Sequence, residues 1–238
     1  METFLFDLYG TLADVHTDES QPALWEDAAA DATARGAAYT AETYQRAYLA
    51  LCKDEVHRRA AELPGVPEQF IEPELLNVFL RLLRTEDRAA AAAHARRFRV
   101  RSTKRLCPMP HALETLDALK RRGRRIFLLS NAQSCFTNDE LDALDLFDRF
   151  DGILLSSDAG MKKPYRGLFE RLLNRYDIDP ETALMVGNDA IADMGGAVGA
   201  GIRGAYIHPW QSGERPKTLP RGCFEITDLL ELLSESEA

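Results

Sequence analysis

The sequence predicts an α/β fold in which a parallel sheet carries helices on both faces and an all-helical segment is inserted behind the first strand. Short apolar runs alternate with amphipathic stretches from residue 108 onward, as in parallel strands that are buried on both sides. The run Thr3–Phe6 has the same character. From residue 14 to 99, by contrast, apolar residues recur at helical spacing. We therefore expect a Rossmann-like core of residues 1–13 and 101–238 and a helical insertion of residues 14–100.

The inserted segment divides into four predicted helices. An apolar face at residues 24–29 is followed by Gly36, a helix stop, and Thr40 then provides the N-cap of a longer helix. The Pro- and Gly-containing break at residues 64–67 separates it from a third helix at residues 74–84. An alanine-rich helix at residues 86–100 is the fourth. Because no alternating β-branched run interrupts the segment, we expect no strand in it.

The remainder of the chain alternates between the two kinds of element. We predict helices near residues 113–122, 139–144, 168–176 and 190–200, and strands at residues 125–129, 152–157, 183–186 and 205–207. A loop rich in Gly, Pro and polar residues follows at 209–222, before a final strand and helix within 224–233.

Composition and charge exclude several classes of protein. The 238 residues are 45% hydrophobic, which is ample for a buried core, and carry a net charge of −9, so we expect no nucleic-acid partner. Neither an export signal nor an apolar stretch of membrane-spanning length is evident in the sequence. We therefore expect a cytoplasmic protein without a membrane partner. The four cysteines form no CxxC pair, which argues against a zinc knuckle or a disulfide framework.

Polar clusters follow four of the predicted strands directly or in the next loop. They are Asp7 to Thr11, Ser130 with Asn131, Lys162 to Pro164, and Gly187 to Asp189 with Asp193. Because the carboxyl ends of parallel strands meet at one edge of a sheet, these residues can surround a single ligand. The sequence therefore predicts an active site there, with Asp7 as the nucleophile.

Ordinary structural roles compete with this interpretation. Asp7 can instead cap its own turn through the amides of Gly10 or Thr11. Asp189 can cap the following helix while Asp193 pairs with a surface base. Three carboxylates close together, however, repel one another unless a cation joins them, and hard oxygen ligands suit Mg²⁺.

In their order, these motifs resemble the signature of the haloacid dehalogenase superfamily of hydrolases, with the insertion in the place of that family's helical cap. The resemblance implies a covalent intermediate on Asp7, which is an aspartyl-phosphate in most members. It implies a Mg²⁺ ion held by Asp7, the backbone carbonyl of Tyr9 and Asp189, with Asp193 supporting it directly or through water. Lys163, for which Lys162 is the competitor, would offset the negative charge. Other residues would contact the transferring group or order its loop: Gly10, Thr11, Ser130 and Asn131.

Tyr9 departs from the pattern of the family's phosphatases, which usually carry a second aspartate at this position for acid–base chemistry. A phenol is a poor base at neutral pH, although it can donate a proton. The family's 2-haloacid dehalogenases have tyrosine there and need no metal. The leading hypothesis is therefore Mg²⁺-dependent hydrolysis of a small phosphorylated metabolite, because the carboxylate of Asp189 would repel a haloacid. Dehalogenation and a non-catalytic binding role on the same scaffold stay open.

Overall fold

A computed structural model describes residues 1–208 and 215–235. Its strands are β1 Thr3–Phe6, β2 Ala13–Thr17, β3 Thr103–Pro108, β4 Arg125–Ser130, β5 Gly152–Leu155, β6 Ala183–Gly187, β7 Arg203–Ile207 and β8 Cys223–Ile226. Its helices are α1 Pro22–Ala34, α2 Ala41–Glu62, α3 Leu75–Leu83, α4 Arg88–Ser102, α5 Ala112–Arg121, α6 Ser134–Ala143, α7 Ser156–Ala159, α8 Arg166–Tyr176, α9 Gly196–Gly199 and α10 Leu232–Glu235. In the described part of the chain, no helix has both the length and the apolar character required to cross a bilayer.

Six strands form one parallel sheet in the order β5-β4-β1-β6-β7-β8. Side chains of β1 alternate between its two faces. Phe4 and Phe6 enter one hydrophobic cluster with α5, whereas Leu5 enters a second cluster with α8. The predicted α/β fold with helices on both faces is confirmed, and β1 lies at the centre of the sheet, flanked by β4 and β6.

At the start of the insertion, the expectation of no strand was wrong. Its first residues belong to β2, which pairs antiparallel with β3. The partner strand β3 follows the end of the insertion, so a local sequence pattern does not reveal the pairing. The two strands connect the four helices to the core as a ribbon.

The four helices of the insertion, α1 to α4, share a hydrophobic cluster of their own, and we call this unit the cap. Trp25, Tyr44, Phe79 and Phe98 are buried in that cluster. Thr40 caps α2 as predicted, because its hydroxyl accepts from the Thr43 N–H in a reciprocal capping box.

Several boundaries in the core and cap differ from prediction. Asp87 caps α4, which therefore begins at Arg88 rather than at residue 86. The predicted helix at 190–200 begins instead with a wide π turn, Ala190–Gly195, which α9 then continues. Part of the predicted loop at 209–222 lies outside the described residues.

Candidate active site

Asp7 leaves the central strand with its carboxylate held from two directions. Its N–H donates to the Val186 carbonyl of β6 at 2.9 Å, which continues the sheet pairing by one residue. Its Oδ1 accepts from the Ser130 hydroxyl at 3.0 Å and from Lys163 Nζ at 2.7 Å. Among the described residues, none donates a hydrogen bond to Asp7 Oδ2. One oxygen is therefore anchored while the other is available for reaction.

Lys163 is a buried cation with three acceptors. Only 3% of the residue is exposed, and its ammonium donates to Asp7, to Asp193 Oδ1 at 2.7 Å and to the Leu129 carbonyl at 2.8 Å. Burial lowers the pKa of Lys163, but the carboxylates of Asp193 and Asp7 outweigh that effect and hold its pKa above the ordinary value. The ammonium therefore stays charged at neutral pH.

Asp193 supports the site through its neighbours. Its Oδ1 accepts from Lys163, its Oδ2 accepts from the Asp189 N–H at 2.9 Å, and the residue is 1% exposed. Gly187 leaves room for this carboxylate, because a Cβ there would lie 2.2 Å from Asp193 Oδ2. Both oxygens of Asp193 are thus engaged within the protein.

Asp189 is the N-cap residue of the π turn that follows it, and it also lines the cavity. Its Oδ1 accepts from the N–H groups of Ile191 and Ala192, each at 2.8 Å, so the capping interpretation is correct for this oxygen. Among the described residues, no donor contacts its Oδ2. Capping therefore leaves one carboxylate oxygen for a ligand.

Two residues of the turn after Asp7 contact the loop after β6. The Thr11 hydroxyl donates to Asn188 Oδ1 at 3.3 Å. Gly10 has a φ of +82°, and a Cβ at this position would lie 2.4 Å from Asn188 Nδ2. Gly10 and Thr11 thus hold the two loops against each other, and their predicted contact with substrate stays a prediction.

Asn131 brackets the backbone of Lys163 with its side-chain amide. Its Oδ1 accepts from the Lys163 N–H at 2.8 Å, and its Nδ2 donates to the Lys163 carbonyl at 3.1 Å. Lys162 points elsewhere, with its ammonium 3.8 Å from a carboxylate oxygen of Glu72. Lys163, and not Lys162, therefore contacts Asp7, and its predicted role in the reaction stays a prediction.

The Tyr9 hydroxyl is engaged by groups that the sequence analysis did not single out. It donates to Glu140 Oε2 at 2.5 Å and lies 3.0 Å from the Thr137 hydroxyl. Glu140 also accepts from Arg99 Nε of the cap at 2.6 Å. Burial and the Glu140 carboxylate hold the pKa of Tyr9 well above its usual value. No local signal marks Glu140 or Arg99, because they meet Tyr9 only in the folded chain.

The strand ends enclose a cavity of about 210 Å³. It is lined by Asp7, Tyr9, Ser130, Asn131, Lys163, Asn188, Asp189, Ala192 and Asp193. Within residues 1–208 and 215–235, no three His, Cys, Asp or Glu side chains form a ready metal cluster. Mg²⁺, however, is commonly held by only one or two carboxylates together with water and phosphate oxygens. The carboxylate of Asp7 and the open oxygen of Asp189 fit that requirement, whereas both oxygens of Asp193 are already engaged.

Comparison with known proteins gives two groups of relatives. Residues 1–201 match the model of the haloacid dehalogenase-like hydrolase family. A glyceraldehyde 3-phosphate phosphatase of Methanothermobacter thermautotrophicus is 33% identical over 103 residues, which are 43% of this chain and 46% of that protein. A (S)-2-haloacid dehalogenase 4A of Burkholderia cepacia is 27% identical over 193 residues, covering 81% and 77%.

Solved structures share the fold. A 2-haloacid dehalogenase from Pseudomonas syringae superposes with a TM-score of 0.65 at 20% identity and full coverage of both chains. A HAD phosphatase from Thermococcus onnurineus gives 0.62 at 20% identity, covering 99% of this chain and 97% of that one. The chain spans about half the length of the first phosphatase relative. Since the family match covers all four motifs and most of the sequence, the chain belongs to the haloacid dehalogenase-like hydrolase family.

Proposed function

We propose that the protein is a Mg²⁺-dependent phosphatase that hydrolyses a small phosphorylated metabolite through an aspartyl-phosphate on Asp7. The observation that carries this proposal is that only one of the two carboxylate oxygens of Asp7 accepts hydrogen bonds from the described part of the chain. Ser130 and Lys163 hold one oxygen, so the other is presented to the cavity as a nucleophile of fixed direction. Similarity to a glyceraldehyde 3-phosphate phosphatase supports a small phosphorylated metabolite as the substrate.

In the proposed reaction, Asp7 Oδ2 attacks phosphorus while the bond from phosphorus to the ester oxygen breaks. The leaving alkoxide takes a proton from water in the cavity and departs as an alcohol. A second water then attacks the aspartyl-phosphate, gives a proton to the hydroxide left by the first step, and releases inorganic phosphate with Asp7 restored. We assign proton transfer to water because the Tyr9 hydroxyl donates to Glu140.

The available oxygen atoms support a magnesium site in which the protein supplies only some of the ligands. Asp189 Oδ2, the backbone carbonyl of Tyr9 and the anchored oxygen of the Asp7 carboxylate would hold the ion, which leaves Asp7 Oδ2 free to attack. Asp193 would act by fixing Lys163 and the Asp189 backbone. A bound ion would supply positive charge against the phosphoryl oxygens, in a cavity lined by three carboxylates and a single lysine.

Dehalogenation of a 2-haloacid is the second candidate. Tyr9 and the longer match to the Burkholderia dehalogenase favour it. The exposed carboxylate of Asp189 opposes it, because this charge repels the carboxylate of a haloacid. In that reaction, Asp7 would attack carbon and displace halide without a metal.

A two-product assay separates the candidates. Purified protein is incubated with a panel of small phosphomonoesters and with 2-chloropropionate, each with Mg²⁺ and with EDTA. We expect phosphate release that requires Mg²⁺ and that falls on the order of 10³-fold or more in Asp7→Asn. Asp142→Asn, an exposed substitution on α6, is the matched control and should retain full activity.

Two outcomes would contradict the proposal. Chloride release that is insensitive to EDTA, without phosphate release, would establish the second candidate. The absence of both products from folded protein would favour a binding role instead.

A further inference from the structure

We propose that Gln133 is a positioning residue, which clamps a segment of the cap onto the core and thereby fixes the loop that carries Lys163. We call residues 70–75 the cap segment and residues 160–163 the lysine loop. The proposal rests on the proposed function for the role of Lys163, although its structural part does not need that function.

The side-chain amide of Gln133 is almost fully used by the cap segment. Its Oε1 accepts from the Leu75 N–H at 2.9 Å, and its Nε2 donates to Glu72 Oε1 at 2.7 Å and to the Pro73 carbonyl at 2.8 Å. The residue is 7% exposed, so these bonds are shielded from water. An amide that bridges three groups of one segment determines where that segment lies.

Gln133 does not perform the ordinary task of its position. It is the N-cap residue of α6, yet its side chain makes no capping bond. The Ser134 N–H at the start of α6 is bonded instead by the Ser157 hydroxyl at 2.9 Å. The side chain of Gln133 is therefore free to serve the contact between core and cap.

The cap segment is joined on its other side to the lysine loop. The Glu72 N–H donates to the Gly160 carbonyl at 3.0 Å, and the Lys162 N–H donates to the Phe70 carbonyl at 2.9 Å. These two bonds form a short antiparallel contact that ends one residue before Lys163. Because of these two bonds, a displacement of the cap segment also displaces the backbone of the lysine loop.

The same core loop holds Lys163 from within the active site. Asn131, two residues before Gln133, brackets the Lys163 backbone. The loop of residues 131–133 thus positions Lys163 twice, once directly and once through the cap segment. Because small misplacements of a catalytic group are costly, the outer contact is expected to affect the rate.

Amide hydrogen exchange of the full-length protein tests the connection without requiring any activity. Gln133→Asn keeps the chemistry but withdraws the amide by one C–C bond, about 1.5 Å. We expect faster exchange at Leu75, which loses its direct acceptor, and also at Lys162 and Lys163, by about tenfold. Faster exchange at Leu75 alone would overturn the proposal, since the clamp would then not reach the lysine loop.

An exchange of the amide and the carboxylate between residues 133 and 72 keeps the proposal testable if Gln133→Asn changes the exchange rates too little to measure. Gln133→Glu places two carboxylates against each other at residues 72 and 133. Combined with Glu72→Gln, it restores the bond between these two residues with residue 72 as the donor, but not the bond to the Pro73 carbonyl. We expect the single variant to loosen the lysine loop and the double variant to recover at least half of the lost protection. Failure of the double variant to recover any protection would contradict the assigned contact.

Kinetics supply the second readout. With the best phosphomonoester, we expect kcat to fall about tenfold in Gln133→Asn and KM to change less than threefold, because Lys163 acts mainly on the transition state. Asp139→Asn removes a different cap–core ion pair, with Arg96 at 3.0 Å, and should leave kcat and both exchange regions unchanged. Unchanged kcat in an active enzyme would refute the catalytic part, whereas inactivity of the wild type with every phosphoester refutes the proposed function alone.

Discussion

Gly187 shows how one missing side chain organises the active site. The carboxylate of Asp193 occupies the space where a Cβ of residue 187 would stand, and from there it holds the Lys163 ammonium. The residue has no positive φ, so the requirement for glycine comes from the close approach of Asp193 and not from backbone strain.

Substitution of this glycine therefore tests the packing directly. We expect Gly187→Ala to displace Asp193, to lower kcat by about tenfold to a hundredfold and to reduce the free energy of unfolding by about 1–3 kcal/mol. Phosphatase kinetics and urea unfolding measure both effects. Gly199→Ala is the control, because nothing lies within 4 Å of a Cβ there. A fully active Gly187→Ala would contradict the role given to Asp193.

The Tyr9 hydroxyl is held by Glu140 and Thr137, which favours a role in packing over proton transfer. We expect Tyr9→Phe to keep phosphate release within about fivefold of wild type and to lower the free energy of unfolding by about 1–2 kcal/mol, because Glu140 loses a donor. Steady-state kinetics and thermal unfolding provide the measurements. A loss of 10²-fold or more would instead show that the phenol takes part in the chemistry.

At the scale of elements, a buried imidazole joins three helices of the cap. His94 of α4 is 1% exposed. Its Nδ1 lies 2.6 Å from a carboxylate oxygen of Asp31 in α1, and its Nε2 lies 2.6 Å from the Tyr44 hydroxyl of α2. Because a carboxylate only accepts, the neutral ring donates from Nδ1 and accepts from Tyr44 at Nε2.

This arrangement predicts loss of stability in mild acid. Burial lowers the pKa of His94 below 6.5, although Asp31 opposes the effect. Below pH 6.5 the His94 imidazole becomes protonated in the unfolded chain but stays neutral in the folded cap. The contribution of His94 to the free energy of unfolding is therefore present above pH 6.5 and is lost as the pH falls toward the folded pKa. The melting temperatures of wild type and His94→Gln should converge between pH 7.5 and 5.5. A constant difference would contradict this account.

At the scale of the whole molecule, a metal bound between strand ends should stabilise the fold. Ligand binding to the native state alone adds about 2.7 kcal/mol at a hundredfold excess over Kd. We expect Mg²⁺ to raise the Tm of wild type and of the Asp142→Asn control, and EDTA to reverse the rise. In Asp189→Asn, which loses one of the proposed ligands, the shift should be at most half as large. An equal shift in that variant would exclude Asp189 as a ligand.

Local patterns were sufficient for the sheet and for the order of its motifs. Continuous apolar runs such as 183–186 identify buried strands, and parallel strands bring their carboxyl ends to one edge. Asp7, Ser130 and Lys163 were predicted together for that reason, and Ser130 and Lys163 both contact Asp7. Likewise, Thr40 was identified as a helix cap from the residues that follow it.

The sequence by itself determined the α/β class and the residues gathered at the sheet edge, because both depend on short-range periodicity. Only the tertiary structure decided how those residues are used. The pairing of β2 with β3, the capture of the Tyr9 hydroxyl by Glu140 and the clamp of Gln133 on the cap segment all join distant residues. Such contacts depend on the packing of complete elements, and no local spacing encodes them.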